Sequence, residues 1–96
     1  MVTQKKIKVG KRVVEAILTK LGDKNLIVLK GSKGYIMCGY LNMKVANKFK
    51  DIGIKIVGVS TIEQAIKTKV NSMTYTAKKI GIYKGQEIKD VLKIIV

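Results

Sequence analysis

The first forty residues of the chain contain three short runs rich in β-branched residues, separated by turns that contain glycine. The runs span residues 6–9, 13–18 and 26–29, and each is followed by turn residues. Such runs predict β-strands, and connections this short join neighbouring strands in antiparallel order. Another short turn, residues 31–34, precedes a fourth run at 35–40. The N-terminal half is therefore predicted to be an antiparallel meander.

The hydrophobic period changes after the fourth run. Val45, Phe49 and Ile52 recur at spacings of four and three, as they do on one face of an α-helix. Asn42 is a good N-cap, and Gly53 is a good residue just beyond a helix C-terminus. A helix of about three turns is predicted between them.

The remaining sequence predicts one more strand and further helices. Residues 54–59 have strand character, and residues 60–63 fit a capping box that begins a short helix. Two more short helices are predicted in the last third of the chain. The fold class is α+β: a single domain spanning residues 1–96, with a largely antiparallel sheet of about five strands and three or four short helices packed on one face.

The apolar content is high for a chain of 96 residues. Hydrophobic residues make up 47% of it, yet the aromatics are only four tyrosines and one phenylalanine. The aliphatic surplus exceeds what so small a core can hold, which predicts a homo-oligomer. A lone cysteine, a polar N-terminal run and apolar stretches far shorter than about 20 residues predict a cytoplasmic protein without a membrane span.

The chain is strongly basic. Twenty basic and six acidic residues give a net charge of +14, which favours anionic partners. The densest basic cluster is the candidate anion-contact set for non-specific nucleic-acid binding: Lys5, Lys6, Lys8, Lys11 and Arg12. Lysines are otherwise spread evenly, and Arg12 is the only arginine, whereas sequence-specific readers use arginine forks. A solvated basic surface is therefore favoured over a dedicated nucleic-acid face.

The chain contains no histidine. This absence removes the Ser-His-Asp and Cys-His pairings, histidine zinc ligands and the usual general base near neutral pH. The six acidic residues are scattered and form no magnesium or calcium loop. We therefore expect no metal and no cofactor, and a non-catalytic module is favoured over an enzyme.

Residues 34–42 contain the only cysteine of the chain, two tyrosines and two glycines. Strand alternation puts Cys38 on the same face as Ile36, which favours core packing over a nucleophile. Gly39 inside a strand marks a bulge or a close approach by another group, and Asn42 begins the predicted helix. A small anionic ligand or a protein partner is predicted to bind here, and the candidate ligand-binding residues are Tyr35, Cys38, Gly39, Tyr40 and Asn42.

Residues 33–42, with the sequence Lys-Gly-Tyr-Ile-Met-Cys-Gly-Tyr-Leu-Asn, resemble the signature of the YunC-like family of uncharacterised bacterial and archaeal domains. Residues 57–65 and 79–85 resemble further segments of that family, so nearly the whole chain is covered. Asn42 stands where aspartate is expected in many relatives, and Ile80 stands where leucine is usual. The resemblance implies a compact, self-associating α/β domain and supplies no activity, cofactor or catalytic residue.

The leading hypothesis is therefore a non-catalytic, homo-oligomeric cytoplasmic module that binds a small anionic ligand or a protein partner at residues 34–42. Two alternatives stay open. One is non-specific nucleic-acid binding through the lysine-rich surface, and the other is an enzyme that depends on Cys38.

Overall fold

The computed structural model describes residues 2–38 and 43–96, which form a six-stranded sheet and four helices. The strands are β1 (Val2–Val9), β2 (Arg12–Leu21), β3 (Lys24–Lys30), β4 (Tyr35–Cys38), β5 (Gly53–Ile56) and β6 (Ser72–Met73). The helices are α1 (Met43–Lys48), α2 (Ile62–Lys67), α3 (Tyr75–Lys79) and α4 (Ile88–Ile95). The predicted α+β class is confirmed, with one strand more than expected.

The first four strands form the predicted antiparallel meander, and the order in the sheet follows the order in the chain. Two-residue turns join β1 to β2 and β2 to β3. Each turn begins with a glycine at positive φ, 63° at Gly10 and 61° at Gly22, which is the backbone that two-residue hairpins demand. Local turn chemistry thus accounts for the pairing of β1, β2 and β3.

The second half of the sheet is not purely antiparallel. Strands β4 and β5 are parallel, because α1 lies between them in the chain and allows β5 to run in the same direction. The predicted strand at 54–59 is too long, since β5 ends at Ile56 and Gly58 turns the chain with a φ of 73°. Strand β6 pairs antiparallel with β5 over two residues only, too few for a sequence pattern.

Helix α1 is shorter than the predicted three turns. It ends at Lys48, and Lys50 adopts a left-handed φ of 58°. The backbone N–H of Lys50 donates to Asn47 O at 3.1 Å, and that of Asp51 donates to Ala46 O at 3.0 Å. These two bonds form a Schellman motif, which closes the helix before Gly53. Gly53 therefore begins β5 instead of ending α1, and the predicted N-cap, Asn42, lies outside the described residues.

Helix α2 begins one residue later than the predicted capping box. The N-cap is Thr61, whose Oγ1 accepts from the backbone N–H of Gln64 at 3.1 Å. The Gln64 side chain accepts in return from the N–H of Ser60 at 2.8 Å. Glutamine at the third helical position serves this reciprocal pair as well as glutamate does. The two C-terminal helices, α3 and α4, are confirmed.

The hydrophobic core lies between one face of the sheet and the helices. Alternate residues of β2 to β5 are buried on that face, and buried residues of α2, α3 and α4 pack in the same cluster: Val14, Ala16, Ile27, Leu29, Ile36, Cys38, Ile54, Ile56, Ile62, Ala65, Ala77, Ile88, Val91, Leu92 and Ile95. The opposite face carries half-buried Ile17, Val28 and Met37, which are cross-strand neighbours. None of the described helices is long and apolar enough to cross a membrane.

Candidate anion-binding site

The turn between β3 and β4, residues 31–34, is held by the end of α4. The N–H of Gly31 donates to Gly34 O across the turn at 2.8 Å. The N–H of Lys33 donates to Ile95 O at 2.8 Å, and the Ser32 hydroxyl donates to Val96 O at 2.5 Å. The turn adopts this geometry because it has a glycine at each end, and the backbone carbonyl groups of Ile95 and Val96 hold it in place.

Both glycines are required by close packing. A Cβ on Gly34 would lie 2.5 Å from Ile52 O, and a Cβ on Gly31 would collide with Ile95 O. Neither neighbour is a flexible side chain, so a larger residue would displace backbone. The turn is therefore wedged between the start of β5 and the end of α4, and its position is set by tertiary contact.

An open pocket of about 330 Å³ lies beside this turn. Its lining comes from the end of β3, the turn, the start of β4, the segment after α1, and α3: Lys30, Gly31, Ser32, Lys33, Gly34, Tyr35, Lys50, Asp51, Ile52 and Thr76. This lining contains three lysines, three residues with a hydroxyl group and one aspartate. Ammonium and hydroxyl groups are the donors that bind phosphate and carboxylate oxygens.

Asp51 is engaged by Tyr35. The Tyr35 hydroxyl donates to Asp51 Oδ2 at 2.9 Å. Burial raises the pKa of Tyr35 to about 12, and the hydrogen bond to Asp51 and its negative charge act in the same direction. The tyrosine therefore keeps its proton and remains a donor at neutral pH, which partly satisfies the one carboxylate in a basic pocket.

Lys50 reaches the pocket because of its backbone. It occupies the C′ position of the Schellman motif that ends α1, a position usually taken by glycine. A left-handed residue with a Cβ costs roughly 1 to 2 kcal/mol. Helix α3 ends with the same pair of hydrogen bonds, and there Gly81 takes the position with a φ of 102°. Lysine at the end of α1 thus carries a cost that the fold does not require.

The structure separates the candidate residues of segment 34–42. Tyr35 lines the pocket, but Cys38 lies on the opposite face of β4 and is 8% exposed within the core. Its thiol lies 3.7 Å from Val59 O, a hydrogen-bond contact on the core side. The other candidates, Gly39, Tyr40 and Asn42, lie outside the described residues.

The basic cluster near the N-terminus is also divided. Strand alternation places Lys6 and Lys8 on the outer face of the sheet, while Lys5 on the other face pairs with Glu63 at 2.8 Å. The hydrogen bond from Lys5 lowers the pKa of Glu63, with its own backbone bond and the Lys5 charge adding to the effect. Arg12 donates to Val96 O at 3.4 Å, and Lys11 is exposed in the β1–β2 turn.

The sequence-based interpretation missed most of the pocket. Lys30, Ser32 and Lys33 were visible as a Gly-Ser-Lys-Gly turn with a preceding lysine, and that local pattern could have identified them. Lys50 and Thr76 carried no such signal, because their approach to the turn depends on the α1 end and on α3. In the described ranges 2–38 and 43–96, no three cysteine or acidic side chains could together hold a metal ion.

Comparisons with known proteins agree with one another. The model of the family described as domain of unknown function DUF1805 matches residues 37–95. The uncharacterized protein YunC of Bacillus subtilis (strain 168) is 37% identical over 81 residues, which cover 80% of each chain. The crystal structure of a protein of unknown function, TA1206 from Thermoplasma acidophilum, superposes with a TM-score of 0.95 at 36% identity, covering 100% of this chain and 94% of that one.

Proposed function

The chain belongs to the DUF1805 family, and we propose that this member is a non-catalytic module that binds a small phosphate-like anion in the pocket beside the β3–β4 turn. The observation that carries the proposal is the convergence of Lys30, Lys33 and Lys50 around one cavity of about 330 Å³. Lys30 and Lys33 flank the same turn, whereas Lys50 follows α1, so the approach of Lys50 to the other two lysines is a product of the fold. Charge-assisted hydrogen bonds from such groups are roughly twice as strong as neutral ones.

One hydroxyl group of the pocket supports an oxyanion ligand. Thr76 lines the pocket beside the lysines, and a threonine hydroxyl rotates to suit an acceptor. The hydroxyl protons of Ser32 and Tyr35 are already donated to Val96 O and to Asp51 Oδ2. The aspartate, Asp51, already accepts from Tyr35 and so opposes a bound anion less than a lone carboxylate would.

The same geometry favours binding over catalysis. Cys38, the one candidate nucleophile, faces the core on the opposite side of β4 from the pocket. An enzyme that depends on Cys38 would require its thiol to open to solvent, and a buried thiol usually behaves as a small hydrophobe. We also propose a cytoplasmic location, which this lone free cysteine supports.

The pocket is favoured over the hairpin cluster as the anion site. Non-specific nucleic-acid binding through Lys5, Lys6, Lys8, Lys11 and Arg12 would draw on a set that the sheet divides between two faces, with Lys5 held by Glu63. The pocket lysines instead surround one space. This difference supplies the matched control for the experiment.

The test is a titration with inorganic phosphate, followed by isothermal calorimetry or by backbone amide shifts. The variant Lys33→Gln with Lys50→Gln should bind phosphate at least about tenfold more weakly, since two charge-assisted bonds of roughly 1.5 to 3 kcal/mol each are lost. The control, Lys8→Gln with Lys11→Gln, removes the same net charge from the hairpin and should bind as the parent does. Equal weakening in both variants would mean that only net charge matters, and the pocket proposal would fail.

We further propose that the module self-associates through the outer face of the sheet. Ile17, Val28 and Met37 form a half-buried row there, and Glu15 is the cross-strand neighbour of both Lys6 and Lys30. A two-fold contact between two copies can cover the apolar row and pair Glu15 with a lysine of the other copy.

Light scattering tests the self-association. The parent should have a multiple of the 10.6 kDa chain mass, and Val28→Glu should shift it to the monomer, since a charge would be buried in the contact. The matched control is Val57→Glu, because Val57 is exposed outside that row. A monomeric parent, or dissociation caused equally by both variants, would exclude this interface.

A further inference from the structure

Two exposed aromatic residues are chain neighbours of residues that line the pocket. Phe49 comes directly before Lys50, and Tyr75 comes directly before Thr76. Phe49 is 68% exposed and Tyr75 is 70% exposed. Aromatic rings carry large apolar faces, and rings this open to water can bind a ligand with a flat ring.

Direct contacts hold the two helix ends together. The backbone N–H of Tyr75 donates to Asn47 Oδ1 at 2.9 Å. One residue earlier, Thr74 donates its hydroxyl to Asp51 O at 2.6 Å, and Asp51 itself lines the pocket. The end of α1 and the start of α3 therefore form one connected surface, with the pocket beside it.

The charge of this surface suits an extended polyanion. Residues 47–50 and 74–79 contain no acidic residue, and they carry four lysines: Lys48, Lys50, Lys78 and Lys79. A single phosphate needs only the pocket lysines, whereas a chain of phosphates can use those that continue beyond it. Basic grooves with exposed aromatic rings bind single-stranded nucleic acid, because the phosphates pair with lysine and the bases stack on the rings.

We propose that the anion of the pocket is a backbone phosphate of single-stranded nucleic acid, whose neighbouring bases stack on Phe49 and Tyr75. This inference rests on the proposed function, since it takes the pocket as the phosphate site. A single strand is specified because a duplex keeps its bases stacked on each other and leaves the rings unused. The near absence of arginine, with Arg12 alone, fits binding without sequence preference.

The experiment measures fluorescence anisotropy of a labelled oligothymidylate of about 12 nucleotides, with a duplex of equal length and thymidine monophosphate as further ligands. Phe49→Ala and Tyr75→Ala should each weaken the binding of the single strand by about fivefold or more, since one stacked base contributes about 1 to 3 kcal/mol. The matched control is Tyr83→Ala: Tyr83 is 60% exposed, but the residue after it, Lys84, does not line the pocket, whereas Lys50 and Thr76 do. Tyr83→Ala should bind the single strand as the parent does.

The phosphate titration separates the two proposals. Phe49→Ala and Tyr75→Ala should leave the affinity for inorganic phosphate unchanged, because neither ring lines the pocket. If these variants bind the single strand as tightly as the parent, or if the duplex or the mononucleotide binds as well as the single strand, the inference is overturned while the phosphate site stands. If the parent binds no phosphate, the proposed function and this inference fail together.

Discussion

Glycine and lysine occur in both the β1–β2 turn and the β3–β4 turn, but the first turn is exposed and the second is packed against other parts of the fold. The first is Gly10 followed by Lys11, and it is exposed; a Cβ on Gly10 would meet nothing within 4 Å. The second, residues 31–34, is anchored to Ile95 and pressed against Ile52. Glycine serves backbone conformation in the first turn and close approach in the second.

This difference explains why one group of lysines converges and the other does not. Lysines in the exposed hairpin follow the alternation of β1 and point to both faces of the sheet. Lysines at the anchored turn meet Lys50, which a separate element delivers to the same space. A basic site therefore arises here where tertiary contacts bring segments together, even though the densest lysine run lies elsewhere in the chain.

The largest change in stability should come from replacing a glycine of each turn with alanine, Gly34 in the β3–β4 turn and Gly10 in the β1–β2 turn. Gly34→Ala should destabilise the protein by about 3 kcal/mol, because the new Cβ would meet backbone of Ile52 at 2.5 Å. Gly10→Ala should cost only about 1 kcal/mol, since its positive φ of 63° is strained but its surroundings are open. Urea unfolding measures both, and equal losses would contradict the contrast between the turns.

The next largest effect should come from Lys50, which has a left-handed backbone conformation after α1, and here the substitution should stabilise the protein. Lys50→Gly should raise the free energy of unfolding by about 1 kcal/mol, because glycine adopts a φ of 58° without strain. The reverse exchange at the end of α3, Gly81→Lys, should lower it by a similar amount. Stabilisation by Lys50→Gly together with weaker phosphate binding would show that the lysine serves the pocket; unchanged binding would remove Lys50 from the site.

Tyr35 should give the anchored turn a distinctive response to high pH. In the unfolded chain its pKa is the ordinary 10.0, and in the folded protein the pKa is about 12. The stability that this hydroxyl contributes is therefore fully present below pH 10 and is lost as the pH rises towards 12. Stability should fall more steeply over this window in the parent than in Tyr35→Phe. Urea unfolding at a series of pH values measures both, and parallel curves would contradict it.

The smallest effect should come from the ion pair beside the hairpin. Lys5 and Glu63 lie 2.8 Å apart, but both side chains are more than half exposed. Solvent and salt screen such a pair, so Glu63→Gln should leave the thermal midpoint at physiological salt indistinguishable from that of the parent. A clear decrease in the thermal midpoint would show that this ion pair anchors β1 to α2, so that the hairpin, like the β3–β4 turn, depends on a tertiary contact.

Much of the fold was predictable because its signals are local. The β1–β4 meander follows from β-branched runs and short turns, and the last two helices follow from their apolar spacing. The errors fall where a local backbone turn or a tertiary contact overrides the hydrophobic pattern. Phe49 and Ile52 continue a helical spacing, but Lys50 ends α1 between them, and β6 exists only because β5 offers an edge.

The candidate site was less predictable for a related reason. Tyr35 was identified from its place beside a glycine, and strand alternation correctly placed Cys38 on the core face with Ile36. No pattern linked Lys33 to Lys50 or Thr76, since the segments that bring them together are far apart in the chain.

The amino-acid sequence by itself determined the first four strands, the hairpin turns, the family and the net charge of +14, because each depends on residue types and short spacings. Only the tertiary structure decided which charges share a space. That outcome depends on the packing of α4 and β5 around residues 31–34 and on the left-handed turn at Lys50. The binding of an anion by several lysines depends on the distances between their charges in space, and these distances do not follow from their separation along the chain.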